Sequence, residues 1–181
     1  MTIDHLTPPG AHTPQDVLAR IESLGIQTET IEHEPVFTVH DGPELKARLV
    51  GGHTKNLFLK NKKGAMWLVV AEDHRRVDMK KLDPLLGSGR LSFGSADRLG
   101  RVLGVTPGSV TPLALINDDP PSLTVILDAK LMQFDRLYFH PLVNTMTTAI
   151  TPDGLLRFIE SCGHTAHIVD LDPATPDQAE Q

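Results

Sequence analysis

Three stretches of this 181-residue chain carry residue types whose spacing could do chemistry. The first is Gly51-Gly52-His53-Thr54-Lys55-Asn56-Leu57-Phe58. A glycine pair lets backbone approach a ligand closely. The Lys55-Asn56 step then enters a strand at its rim, where a lysine can hold a phosphate or carbonyl oxygen and an asparagine can both donate and accept. The second is the loop 104–112, with Gly104, Pro107, Gly108 and Pro112. Such a loop is rigid and shaped, and its free N–H groups could hold an anionic oxygen. The third is His140-Pro141-Leu142-Val143-Asn144, where Pro141 pushes His140 towards extended geometry. Each stretch also has a plainer reading: a solvated lysine on a hairpin edge, an ordinary connection, and a structural histidine.

Familiar catalytic signatures are absent. The chain has no phosphate-binding glycine loop ending in Gly-Lys-Ser/Thr, no Gly-x-Ser-x-Gly elbow and no His-Glu-x-x-His. Cys162, the one cysteine, can form no internal disulfide and sits late in a predicted helix, where the dipole raises a thiol pKa. His164 and His167 read as a surface pair rather than metal ligands, so no metal and no cofactor is expected. No apolar run is long enough to span a membrane, and the first residues lack the basic start and apolar run of a signal peptide. A cytoplasmic protein is the expectation.

The elements that must position these residues follow from pattern and punctuation. Thr13 and Pro14 read as cap and first turn of a helix closed by Gly25, with Val17, Leu18, Ile21 and Leu24 on one face. A strand is predicted over 26–34, an extended segment over 35–39, a turn at 41–43 and a short helix over 44–49. Strands over 56–60 and 65–71 flank the turn 61–64 as a hairpin. Helices are predicted over 77–86 and from the Ser95 cap through Leu103. Strands are predicted over 91–93, 113–117, 123–127, 136–139, 146–150 and 166–171, with a last helix opened by Thr151-Pro152. Residues 1–13 read as a loose lead, 14–171 as one domain and 172–181 as a tail. The fold class is α/β (α+β), a single domain with a mixed sheet.

Charge is uneven along the chain. The net charge is −6, which by itself argues against a nucleic-acid partner. Residues 46–101, however, hold 13 Lys and Arg against five acids, a net +8, while the remainder holds four bases and 18 acids, a net −14. Such asymmetry marks a phosphate-bearing partner or a solvated face. The expectation is that these bases gather around Lys55 with the acids turned elsewhere.

The order of the motifs resembles one family. Glu32-His33-Glu34-Pro35-Val36-Phe37-Thr38, then residues 52–60, then Gly108-Ser109-Val110-Thr111-Pro112, then His140-Pro141 with Asn144 and Thr145, closely resemble the YbaK/ProX family of aminoacyl-tRNA deacylases. That family is related to the editing domain of bacterial prolyl-tRNA synthetases. The likeness covers about residues 14–171 and is greatest to the free-standing PrdX (ProXp-ala) branch. It implies a mixed, mostly antiparallel sheet curved towards a barrel with flanking helices. It implies hydrolysis of mischarged Ala-tRNA(Pro), with Lys55 and His140 as catalytic residues. Thr38, Asn56, Gly108, Ser109, Val110 and Pro112 would bind substrate, and Val36, Phe37, Thr38 and Leu57 are candidate pocket walls. Lys60, Lys62, Lys63, Arg75, Arg76, Lys80, Lys81 and Arg90 would meet tRNA. Partners implied are mischarged tRNA(Pro), prolyl-tRNA synthetase and a second copy of the chain as a homodimer. Three alternatives stay open: a deacylase for Cys-tRNA(Pro) or another small amino acid, a non-catalytic tRNA- or synthetase-binding module, and a metallohydrolase.

Overall fold

The computed structural model describes residues 10–35 and 43–172. Predicted features at 1–9, 36–42 and 173–181, Val36, Phe37 and Thr38 among them, lie outside the described residues.

Two sheets organise the chain. The smaller has β1 (Glu29–Glu32), β7 (Met146–Ile150) and β6 (Leu137–Phe139) in that order, all antiparallel. The larger runs β4 (Ser92–Phe93), β2 (Thr54–Lys60), β3 (Met66–Glu72), β5 (Leu123–Asp128) and β8 (Ala166–Val169). It is antiparallel up to β3 and parallel beyond it. Parallel neighbours need long crossovers, and the chain between β3 and β5 supplies one with α3 (Met79–Leu86) and α4 (Ala96–Leu103). The return from the small sheet to β8 runs through α5 (Pro152–Ser161).

Strand β3 shows why both faces of the large sheet are covered. Trp67, Leu68, Val69, Val70 and Ala71 are all buried, an unbroken apolar run rather than an alternation. Leu68 and Val70 join the main core with α1 (Pro14–Ser23), α4 and α5. Trp67, Val69 and Ala71 face a second core closed by Leu82 of α3, Leu91 and Leu171. The three predicted N-caps form, while α3 starts later than predicted and is capped by Asp78. Thr13 and Asp16 form a reciprocal capping box, and Ser95 and Thr151 each cap through the side-chain oxygen.

The segment 113–117 is not a strand. It is a 3-10 helix, Pro112–Asn117, with Pro112 in its first turn and the Thr111 hydroxyl accepting from Leu113 N at 3.2 Å. Five of its six residues are buried, and a short buried apolar run carries no periodicity that separates strand from helix. A second 3-10 helix, Ala129–Gln133, is capped by Asp128 and was not foreseen. Among the described residues no helix is long and apolar enough to cross a membrane.

Candidate active site

The two sheets meet through one glycine pair. Gly52 forms a parallel bridge to Leu137, with Gly52 N donating to Arg136 O at 2.8 Å and Tyr138 N donating to Gly52 O at 3.2 Å. A Cβ on Gly52 would lie 2.7 Å from Leu137 Cδ2 and Phe134 Cδ2, and one on Gly51 would lie 2.7 Å from Arg136 O. The pair is thus required for approach to β6, where the sequence suggested approach to a ligand. Because the bridge is parallel, Lys55 and His140 each stand three residues beyond it in the same direction. Above it the His53 ring stacks on Tyr138 with centroids 5.1 Å apart.

Strand alternation separates Lys55 from Asn56. Lys55 shares a face with Leu57 and Leu59, while Asn56 and Phe58 share the other. The outer edge of β2 is paired with β4 only at Leu59 and Lys60, and Gly94 N donates to Phe58 O. Over 54–57 that edge has no strand partner among the described residues. A ligand lying across it can be met from both faces.

On its own face Lys55 stands among charges. It pairs with Ala71, and β3 ends at Glu72 with Asp73 N still donating to His53 O at 3.0 Å. Burial pushes the Lys55 ammonium below its ordinary range, Asp73 and Glu72 pull it back, Arg76 adds to the lowering, and the balance stays lowered. The Asp73 side chain is only 6% exposed and accepts from Lys46 Nζ of α2 (Pro43–Arg48) at 2.5 Å. Burial raises the Asp73 carboxyl, but the Lys46 hydrogen bond and charge outweigh it and leave the group lowered. Acids therefore do stand beside Lys55, against the expectation from charge blocks. Asp73 is the site neighbour that sequence reasoning missed, and it pairs with Lys46, one of the bases expected near Lys55. The Glu72 and Asp73 carboxylates and the His74 ring come within 4.8 Å of one another, but the two acids already pair with Lys130 and Lys46.

On the other face Asn56 holds the glycine-proline loop. Asn56 Nδ2 donates to Val110 O at 3.0 Å, across 54 residues of sequence. Its Oδ1 is buried with no hydrogen-bond partner. Ser109 and Thr111 are buried, and Ser109 N donates to Thr106 O, closing the turn at Gly108, whose φ is +93°. The N–H groups of Gly108 and Val110 have no acceptor among the described residues.

His140 follows β6. Its Nδ1 lies 2.9 Å from Met146 O, so that nitrogen donates and Nε2 is the acceptor in the neutral ring. Burial lowers the His140 pKa; the Met146 carbonyl works the other way, and His33 adds to the lowering. The His33 ring lies 6.2 Å away, its Nε2 2.7 Å from Thr147 Oγ1. Leu142 N donates to His140 O, and Leu142 adopts φ +71°, a rare conformation outside glycine that fixes the turn behind the histidine. His164 is elsewhere: its Nε2 is 2.8 Å from the buried Asp118 Oδ2, whereas His167 is exposed. They do not form a pair.

The predicted tRNA-facing bases fall into groups. Arg76 and Lys80 are exposed, near Lys55 and on α3 respectively, and Lys81 follows on α3. Lys60, Lys62, Lys63 and Arg90 stand at the far end of the β2–β3 hairpin. Arg75 is tied into the fold: Nε donates to the fully buried Asp128 Oδ2 at 2.5 Å, and the guanidinium also pairs with Asp172.

Comparison with known proteins fits this geometry. The aminoacyl-tRNA editing domain model matches residues 33–158, spanning Lys55-Asn56, the 104–112 loop and His140. The prolyl-tRNA editing protein ProX of Acetoanaerobium sticklandii is 34% identical over 158 residues, covering 87% of this chain and 96% of that one. The prolyl-tRNA synthetase associated domain-containing protein 1 of Danio rerio is 38% identical over 168 residues, covering 90% and 91%. A solved structure described as a candidate trans-editing enzyme for prolyl tRNA synthetase shares the fold, with TM-score 0.67 at 20% identity over 87% of this chain and 96% of that one. The chain belongs to the aminoacyl-tRNA editing domain family.

Proposed function

We propose that this chain is a cytoplasmic trans-editing deacylase that hydrolyses Ala-tRNA(Pro). The observation that carries the reading is the open edge of β2, flanked by Lys55 on one face and by the Asn56-anchored loop on the other. The aminoacyl end lies across that edge. A water oxygen bonds to the ester carbonyl carbon, and the bond from that carbon to the ribose oxygen breaks. The water proton ends on the ribose oxygen, which gives free alanine and tRNA(Pro). The oxyanion formed on the way is met by the Lys55 ammonium and by the unengaged N–H groups of Gly108 and Val110. Asn56 holds Val110 in place. Neutral His140 offers Nε2 as an acceptor to the terminal adenosine or to the water, and the free hydroxyl of that ribose assists the proton transfer.

Alanine is the substrate on grounds of size. A synthetase site built for proline rejects a smaller apolar side chain by only about 1–3 kcal/mol per methylene, so a second, smaller site is needed to remove it. Leu57, on the Lys55 face, is the proposed wall among the described residues. The test is deacylation of Ala-tRNA(Pro), Cys-tRNA(Pro) and Pro-tRNA(Pro), with Lys55→Ala beside the native chain. Ala-tRNA(Pro) should be cleared and Pro-tRNA(Pro) spared, and the variant should lose about 100- to 1000-fold, the usual cost of an oxyanion donor. Faster clearance of Cys-tRNA(Pro) would change the substrate, and full activity in the variant would remove Lys55 from the mechanism.

A further inference from the structure

Phe93 is 59% exposed, on the two-residue edge strand β4. The other large exposed apolar residues among the described ones are Val50, in the connection before the Gly52 bridge, and Ile168, on β8 at the opposite edge of the sheet. Among the described residues Phe93 is thus the one large exposed apolar side chain on β4 or its neighbour β2, whereas a protein interface gathers several exposed apolar side chains at its centre. Its surroundings are cationic. Asn61 Nδ2 donates to Ser88 O at 2.9 Å, which fastens the turn carrying Lys62 and Lys63 to the loop carrying Arg90. Lys60 stands at the same edge, opposite Ser92 and so on the other face of the sheet from Phe93. None of these four bases has a carboxylate partner among the described residues. Asp97, the next acid along the chain, is paired with Arg101 at 2.9 Å.

We infer that Phe93 is a stacking platform for a nucleobase of the single-stranded acceptor end of tRNA, with Arg90 and Lys62 meeting the adjoining phosphates. The inference rests on the deacylase reading for its ligand and adds a binding site to it. A solvent-facing aromatic ring beside unpaired bases is the arrangement that holds single-stranded nucleic acid without reading sequence. Phe93 pairs with Leu59, so it shares the face of Lys55, four residues along the same strand. That separation is about 13 Å at roughly 3.3 Å per residue. It equals about four nucleotides at the stacked rise of 3.4 Å, and fewer in an extended strand. A strand whose aminoacyl ester lies at Lys55 therefore reaches Phe93 with its single-stranded end when that end is extended rather than stacked.

The experiment measures binding of uncharged tRNA(Pro), intact or with the single-stranded 3′ end trimmed, to the full chain and to Phe93→Ala, Phe93→Trp and Ile168→Ala. Phe93→Ala should weaken intact tRNA on the order of 10-fold, with Phe93→Trp near native and Ile168→Ala unchanged. The loss should vanish on trimmed tRNA. Arg90→Ala should lower the salt slope by about one, which Phe93→Ala leaves alone. Native affinity of Phe93→Ala for intact tRNA overturns the stacking site and leaves the deacylase reading standing. Dissociation of an oligomer by Phe93→Ala also overturns it, by giving the ring to a second copy. A native chain that neither binds tRNA(Pro) nor clears Ala-tRNA(Pro) overturns both.

Discussion

Replacing Asp73 by asparagine tests whether Lys55 works as a cation. Lys55 pairs with Ala71, so Asp73 is its diagonal neighbour on the same face. Such neighbours are about 7–8 Å apart, where unit charges attract by about 2 kcal/mol at an effective dielectric constant of 20 and about 0.5 kcal/mol in bulk water. Asparagine removes that attraction and leaves the Lys46 charge unpaired nearby. Both changes favour neutral Lys55, which burial already favours. The alkaline limb of kcat/KM for Ala-tRNA(Pro), corrected for spontaneous hydrolysis, should move to lower pH. Lys46→Met does the reverse: it frees the Asp73 carboxylate to act on Lys55, and the limb should move to higher pH. Limbs that move the same way in both variants, or not at all, would refute the electrostatic role and leave only a packing effect through α2. Stability should change little, by about 1 kcal/mol or less, because Lys46 is 37% exposed and water screens the pair. The Asp73 carboxyl is held below its ordinary 3.8, so this contribution is whole above that pH and is lost as pH falls through the lowered value.

Other variants probe the opposite face and the frame. Asn56→Ala leaves the Val110 carbonyl without its donor; denaturant unfolding should show a loss of about 1–3 kcal/mol, with kcat reduced as the loop shifts. Gly51→Ala places a Cβ 2.7 Å from Arg136 O at φ +151° and should cost roughly 1–3 kcal/mol, while Gly100→Ala, inside α4 with no atom within 4 Å, should gain about 0.5–1 kcal/mol. His33→Gln removes the neighbour that adds to the lowering of His140, so the acid limb of the pH profile should move to higher pH. An unmoved acid limb would mean that His140 is not the group titrating there.

Local signals were readable and distant ones were not. Thr13-Pro14, Ser95 and Thr151-Pro152 announce helix starts because a cap acts within three residues of itself. The hairpin around 61–64 is equally local. Residues 113–117 misled because apolar residues buried all round look the same in a strand and in a 3-10 helix. Among the candidate site residues, Lys55, Asn56 and His140 could be picked out by type and setting, but their partners could not. Asn56 meets Val110, Arg75 meets Asp128 and Lys46 meets Asp73 across 54, 53 and 27 residues, and no short-range pattern encodes those meetings. Arg75 shows the consequence. Its charge suggested a phosphate contact, yet its side chain is 9% exposed and bound to buried Asp128.

The Lys55-Asn56 step divides two duties because a strand has a period of two. A residue that holds the loop must face the main core, where Val110 is, so its neighbour must face the other way. Shifting the register of β2 by one residue would exchange them, burying a lysine against the loop and exposing the amide among acids. The Gly52–Leu137 bridge fixes that register from outside the hairpin, three residues before Lys55 and three before His140. One contact between two backbones thus sets where the cation, the loop anchor and the histidine stand relative to one another. That is why glycine at 51 and 52 bears on the relative placement of these side chains. A side chain at either position would push β6 away, and His140 would move with it while Lys55 stayed behind.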